Sequence, residues 1–360
     1  MTAKHGTIRS RLWRDGVLEE DNFPFERISD CLEQDGSLVW VDILDPDGAR
    51  LQDLAQELAL DPLVVEDAFA REGRAKATRY PTYTFLTTYA TMSEAEAETR
   101  STSAEAGARE IDDQGSVAPS SGAEVDEPAL ATTRISAFIL PRGMVTIRHS
   151  SAFDMNDVVR RWDENSDLLK FGVGALVYGL LDLIVDGHFD AIQAVDDRIE
   201  ALEDSLFDER ALDGEVQRRT YRIRRNLVEL RRVVLPMREV VNSVLRHRRD
   251  LNAPTDLDSW FDDLYDHVLR ATEQTESLRD TVTTIFETNL SLQDARLNVV
   301  MKKLTSWAAI IAVPTAVTGY FGQNVPYPGF AQEWGFVLSC VVIAGIAGAL
   351  YVGFRRRGWL

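Results

Sequence analysis

The chain has little of what most enzymes need. It holds two cysteines, Cys31 and Cys340, and five histidines, His5, His149, His188, His247 and His267, scattered along 360 residues. Two distant cysteines make no disulfide framework. No Ser/His/Asp or Cys/His arrangement is visible among the histidines, so an enzyme is the least expected class. No phosphate-cradling motif is present either, because Gly172-Val173-Gly174 is not followed by the further glycine and lysine such a loop requires. Basic charge is scarce as well. A formal net charge of −19 argues against nucleic-acid binding and suits a domain that attracts cations. The N-terminus, MTAKHGTIRSRLWRDG, lacks an apolar signal region, so the large polar portion is expected to stay in the cytoplasm.

What is present in excess is two charge-free apolar runs near the end, Leu304–Phe321 and Gly335–Phe354. Each is long enough to cross a hydrocarbon core of about 30 Å. The intervening Gly322–Trp334 has no Lys or Arg and one acid, Glu333. Lys302 and Lys303 precede the first run, and Arg355, Arg356 and Arg357 follow the second. Positive charge is retained on the cytoplasmic side, so a membrane hairpin is expected with both termini in the cytoplasm of a cell-membrane protein.

Upstream, residues 1–150 alternate strand-like runs (GTIRSRLW, SLVWVDIL, PTYTFLTTYAT, TRISAFILPRGMVTIRHS) with short helices at DPDGARLQDLAQEL and LDPLVVEDAFA. The last strand pair turns around Pro141-Arg142-Gly143. Within this mixed α/β domain, residues 93–132 are rich in Ala, Glu, Ser and Gly and nearly lack large apolar side chains, so a disordered acidic loop is expected. Residues 151–254 switch to helical period and read as an antiparallel helical pair, with Pro236 inside the second helix. From Thr255 to Val313 there is neither Gly nor Pro. One helix of roughly 100 Å is therefore expected, a stalk over 255–303 that runs on into the first membrane span at 304–321. A loop over 322–334, a second span over 335–354 and a basic tail over 355–360 complete the chain. The expected class is thus an α+β cytoplasmic domain, a long stalk helix and two transmembrane helices.

Stepping by three or four from Asn298 along that helix meets Met301, Thr305 beside Leu304, Ala308, Ala312, Thr315, Gly319 and Gly322. Small residues on a membrane helix mark close packing as readily as a conduit. Asn298, Thr305 and Thr315 add polar groups that seek a cavity or a partner. Two spans cannot enclose a pore, so conduction requires a symmetric homo-oligomer with this helix at its centre.

Several residues in order along these helices resemble the CorA family of divalent-cation channels. They are RRNLVELRRVVLPMREV, Tyr265-Asp266-His267, the Asn298–Thr305 segment NVVMKKLT, a proline inside the first span (Pro314) and a basic tail ending in Trp-Leu. The resemblance implies a funnel-shaped homopentamer that carries magnesium, with cobalt as a substitute, and needs no cofactor beyond the metal. The family signature Tyr-Gly-Met-Asn corresponds here to Phe321-Gly322-Gln323-Asn324, so Gln replaces Met. By resemblance, Gly322, Gln323 and Asn324 form the outer filter, and Thr315, Thr305 and Asn298 line the pore. Met301 and Leu304 form its apolar gate, and Glu66, Asp67, Asp182 and Asp263 hold a regulatory cytoplasmic metal between subunits. Expected partners are other copies of the chain, the bilayer and divalent cations. Gln323 leaves two further readings open: a zinc or cobalt transporter of the same fold, efflux included, and a non-conducting membrane-anchored sensor or scaffold.

Overall fold

The computed structural model describes residues 7–46, 48–70, 73–93, 130–206, 213–250, 253–323, 326, 328–330 and 332–360. The chain divides into two compact units, Met1–Val282 and Thr283–Leu360.

The first unit is built on a seven-stranded sheet. Its strands are β1 (Thr7–Arg14), β2 (Val17–Asp21), β3 (Ser37–Leu44), β4 (Lys76–Arg79), β5 (Thr84–Ser93), β6 (Leu130–Leu140) and β7 (Gly143–Arg148), in the order β2-β1-β3-β7-β6-β5-β4. All neighbours are antiparallel except β3 and β7, which run parallel with Val41 opposite Val145. Successive side chains of a strand point to opposite faces. Leu38 and Trp40 of β3 accordingly join one core, and Val39, Val41 and Ile43 join the other. Both faces are covered, which is why β3 is apolar almost throughout. The second of those cores is closed by α1 (Ile28–Glu33) and α3 (Pro62–Phe69); α2 (Gly48–Glu57) runs between them in sequence. Asp61 caps α3 by accepting from Leu63 N–H at 2.9 Å, and Pro62 sits in its first turn.

The first core is closed by α4 (Met155–Glu164), α6 (Val173–Leu206) and α7 (Asp213–Asp250), with the short α5 (Ser166–Leu169) between α4 and α6. Trp162 of α4 lies edge-on to Trp13 and Trp40, with ring centroids 6.1 and 5.0 Å apart. It also packs so closely on α6 that a Cβ at Gly179 would stand 2.6 Å from its indole nitrogen. The helical pair expected over 151–254 is α6 and α7, and it is preceded by α4 and α5; Asp154 caps α4, and Met155, Val158, Val159 and Trp162 form its buried face. Strand β6 begins at Leu130, inside the segment expected as loop, because its register with β5 continues to the pair Ser93–Leu130. Residues 94–129, the rest of that loop, lie outside the described residues.

Helix α8 (Asp258–Phe321) starts in the first unit after a 3-10 turn at Thr255–Leu257 and ends in the second. Helix α9 (Glu333–Arg356) follows it. Both are long and apolar enough to cross a membrane, and only 6% of each most apolar window is buried. A soluble protein's core helix would be mostly covered. The exposure and the absence of charge suit both helices, among the described residues, to a bilayer.

Candidate functional site

The polar and small positions of α8 lie on a face that none of the described residues covers. Asn298, Met301, Leu304, Thr305, Ala308, Ala312, Thr315, Gly319 and Gly322 are all exposed, Met301 at 57% and Leu304 at 62%. The covered side is different: Ser306 is buried, and Ile310, Val313, Val317 and Phe321 are half-buried. Thr315 donates to the Ile311 carbonyl at 3.3 Å and Thr318 to that of Pro314 at 2.8 Å. Such back-bonding satisfies a hydroxyl within its own helix. Gly322 N–H donates to the Thr318 carbonyl at 2.8 Å, closing the helix, and Gln323 is exposed beyond it. Asn324 lies outside the described residues.

The four carboxylates expected to bind a regulatory metal fall into two places. Asp182 on α6 and Asp263 on α8 both act electrostatically on the hydroxyl of the buried Tyr178. Burial and these acids push that hydroxyl well above its usual range. Arg161 of α4 reaches into the same cluster and donates to Asp182 and, at 2.7 Å, to Asp186 one turn further along α6. Burial outweighs the pull of Arg161, so the Asp182 carboxyl is raised above its ordinary value. Asp263 is exposed and lies 3.8 Å from His267.

Asp67 sits on α3 in a separate setting. Lys76 of β4 approaches it at 2.6 Å, and Arg134 of β6 at 3.3 Å. Burial pushes the carboxyl up, but Lys76 and Arg134 together outweigh it and hold it below the usual range. Arg134 Nη2 also donates to the Asp67 carbonyl at 2.8 Å. Glu66 is exposed. Among the described residues of one chain no group of three or more His, Cys, Asp or Glu stands close enough to hold a metal.

Sequence reasoning missed Arg161, Tyr178, Lys76 and Arg134. A lone arginine amid the apolar run ISAFIL-bearing strand was a legible sign for Arg134, since a buried cation needs a carboxylate. Arg161 gave none.

A family model described as CorA-like Mg2+ transporter protein matches residues 116–356. The cobalt/magnesium transport protein CorA of Thermotoga maritima is 32% identical over 227 residues, 62% of this chain and 64% of that protein. The chain therefore spans just under two thirds of that relative's length. The Bacillus subtilis protein YfjQ is 24% identical over 344 residues, 94% of each chain. Among solved structures, the complete CorA magnesium transporter of Methanocaldococcus jannaschii matches over the whole of both chains with a TM-score of 0.69 at 21% identity. Full-length CmaX matches over 99% of both with a TM-score of 0.66 at 19% identity. These likenesses show the fold: a mixed-sheet N-terminal domain, a long helix and a C-terminal apolar helix. With two thirds of its length matched by the family model, the chain belongs to the CorA-like Mg2+ transporter family, which are divalent-cation transporters and not enzymes.

Proposed function

We propose that the chain assembles as a homopentamer in the cell membrane and forms a gated channel for magnesium uptake, with both termini in the cytoplasm. The observation that carries this reading is the exposed pair Thr305 and Thr315 on the charge-free part of α8, in line with Asn298 before that part and Gly322 at its end. Exposed polar groups at membrane depth need a water-filled cavity or a partner chain, and five copies of this face would supply both. Magnesium sheds its water reluctantly, so neutral oxygens at Gly322, Gln323 and Asn324 suit a hydrated ion better than a charged cage would. Met301 and Leu304 then close the path by dewetting.

The membrane potential suffices as driving force. A unit charge gains about 2.3 kcal/mol per 100 mV and a divalent ion about twice that, against about 1.4 kcal/mol per tenfold gradient. Roughly a thousandfold accumulation is within reach without a nucleotide.

Asp182 and Asp263, with Glu66 and Asp67 of a neighbouring copy, form the regulatory metal site. A divalent ion between facing carboxylates relieves their repulsion and holds subunits together in the closed state; loss of the ion frees them. In this chain the ion must displace Arg161 from Asp182 and Lys76 from Asp67, so the site responds to abundant rather than trace metal.

Gln323 favours a second reading, zinc or cobalt transport on the same fold. Flux into liposomes under an imposed potential separates the two. Magnesium entry that follows the potential and stops at millimolar-scale internal magnesium is expected; zinc flux alone would replace the magnesium reading, and no flux at all would favour a sensor.

A further inference from the structure

A cavity of about 660 Å3 opens in the first unit, where the start of α6, the end of α7 and the first turns of α8 meet the β4–β5 and β6–β7 turns. That volume is in the range of small-molecule sites. Its walls are apolar and ring-bearing: Tyr80 and Tyr83 stack with centroids 4.8 Å apart, and Phe171, Val177, Val244 and Phe261 complete them. The ionisable groups at its surface are Arg79, His247 and Arg248, and no acid lines it among the described residues. In a chain of net charge −19 that polarity is unusual.

Arg248 is the telling residue. It is 9% exposed, and its guanidinium lies over the Phe261 ring at 4.7 Å. Nη2 donates to the Pro254 carbonyl at 2.8 Å and reaches Asp258 only at 3.4 Å. Its Nε is buried without a partner, as is His247 Nδ1. The guanidinium also presses on the first turn of α6, so closely that a Cβ at Gly174 would overlap Nη1. The start of a helix carries about half a positive charge and unpaired N–H groups. A buried cation set against that end is unfavourable unless an anion joins them. Tying down the α7–α8 connection explains the bonds to Pro254 and Asp258, but neither the two orphaned nitrogens nor the cavity that Arg248 and His247 line. Arg79 is engaged outside the cavity by Asp250 at 3.0 Å, and remains at the rim.

We propose that this cavity binds a small organic anion, with its carboxylate or phosphate head at Arg248, His247 and the start of α6, and its apolar ring along the aromatic walls. The site is independent of ion conduction and of the carboxylates assigned to metal.

The test is equilibrium dialysis of the full-length protein in nanodiscs, with empty nanodiscs subtracted. The probes are 2-naphthoate, 2-naphthyl phosphate, neutral 2-naphthol and inorganic phosphate. At least one naphthyl anion should bind saturably, about one per chain and about tenfold or more tighter than 2-naphthol, as a charge-assisted contact requires. Which of the two binds tighter identifies the head group. Arg248→Gln should weaken binding about tenfold. Because Arg248 also holds the α7–α8 connection, the rim double variant Arg79→Gln/His247→Gln provides a second measurement and should weaken binding several-fold while the melting temperature is kept. Equal affinity for 2-naphthol and the anions, inorganic phosphate binding as tightly as naphthyl phosphate, indifference to the rim variant, or no saturable binding of either anion would each overturn the proposal.

Discussion

Arg161 on α4 donates to the carboxylate of Asp182 on α6, so a cation of the chain itself already stands at a position assigned to a regulatory metal. Asp182 is only 14% exposed in its side chain, and Arg161 27%. On the proposed reading, metal and guanidinium compete for one carboxylate in a partly desolvated place. Arg161→Gln should lower the internal magnesium concentration that closes the channel by about tenfold, the effect of removing one charge-assisted contact worth about 1.5 kcal/mol. Flux from liposomes loaded with graded magnesium reads this directly. An unchanged or higher closing concentration would remove Asp182 from the sensor.

A second ion pair is a matter of stability. Asp42 of β3 and Arg148 of β7 are 2% and 8% exposed, and the guanidinium donates from Nε at 3.0 Å and Nη2 at 2.8 Å to the same carboxylate oxygen. Thr146 adds a bond to the other oxygen at 2.8 Å, and Arg148 Nη1 one to the Phe153 carbonyl at 2.6 Å. Asp42→Ala leaves a buried guanidinium without its counter-charge and should cost about 3–5 kcal/mol. Thermal unfolding followed by tryptophan emission should show a large drop in midpoint, because Trp40 is tied to Thr146 at 3.2 Å.

His188 sets an acid limit. It is 1% exposed on α6, its Nε2 is 2.9 Å from the Tyr89 carbonyl, and burial lowers its pKa to about 4. The unfolded chain binds the proton near 6.5 and the folded chain only near 4. Its contribution is therefore complete above pH 6.5 and is lost as pH falls from 6.5 toward 4, by about 3 kcal/mol in all. The wild-type melting midpoint should fall across that window, and His188→Gln should flatten the fall. An identical pH profile in both proteins would exclude this histidine as the cause.

How much of this could be read beforehand depended on whether the cause was local. Asp61-Pro62 announced the start of α3, Pro141-Arg142-Gly143 turned β6 into β7, and the charge-free runs marked both apolar helices, because each signal lies within a few residues. Strand β2 was passed over although Asp15-Gly16, with φ of 50° and 82°, forms the two-residue turn that Asp-Gly favours. Its own residues, VLEED, are mostly acids that form strands poorly. The parallel pairing of β3 with β7 and the bond from Arg134 to Asp67 join residues some 70 to 100 positions apart, and no local pattern encodes a partner at that distance. The exposed stripe of α8 was legible for the opposite reason: a helix fixes its own faces.

Close packing at Gly179 yields a prediction free of any functional reading. A methyl group there would meet Trp162 at 2.6 and 2.7 Å, against ring atoms wedged between Trp13 and Trp40. The ring is 2% exposed and must shift against Trp13 and Trp40 to make room, so Gly179→Ala should destabilise by about 1–3 kcal/mol despite the better helix propensity of alanine. A melting midpoint equal to or above that of the wild type would mean that the α4–α6 contact gives way.

On the proposed reading, ion choice turns on the residues after α8. Gln323, which by resemblance takes the place of the signature's Met, is exposed and just past the last turn. An amide offers a donor and an acceptor, where a thioether offers only a weak acceptor. If Gln323 tunes the ion, Gln323→Met should change the ratio of magnesium to zinc flux by several-fold without changing assembly. Asn324→Ala should abolish flux of every divalent ion, again with the oligomer intact by native mass spectrometry. Full flux in Asn324→Ala would move the filter elsewhere along the stripe, to Thr315 or below. A constant flux ratio in Gln323→Met would instead give ion choice to the Asn324 ring, with Gln323 a bystander beside it.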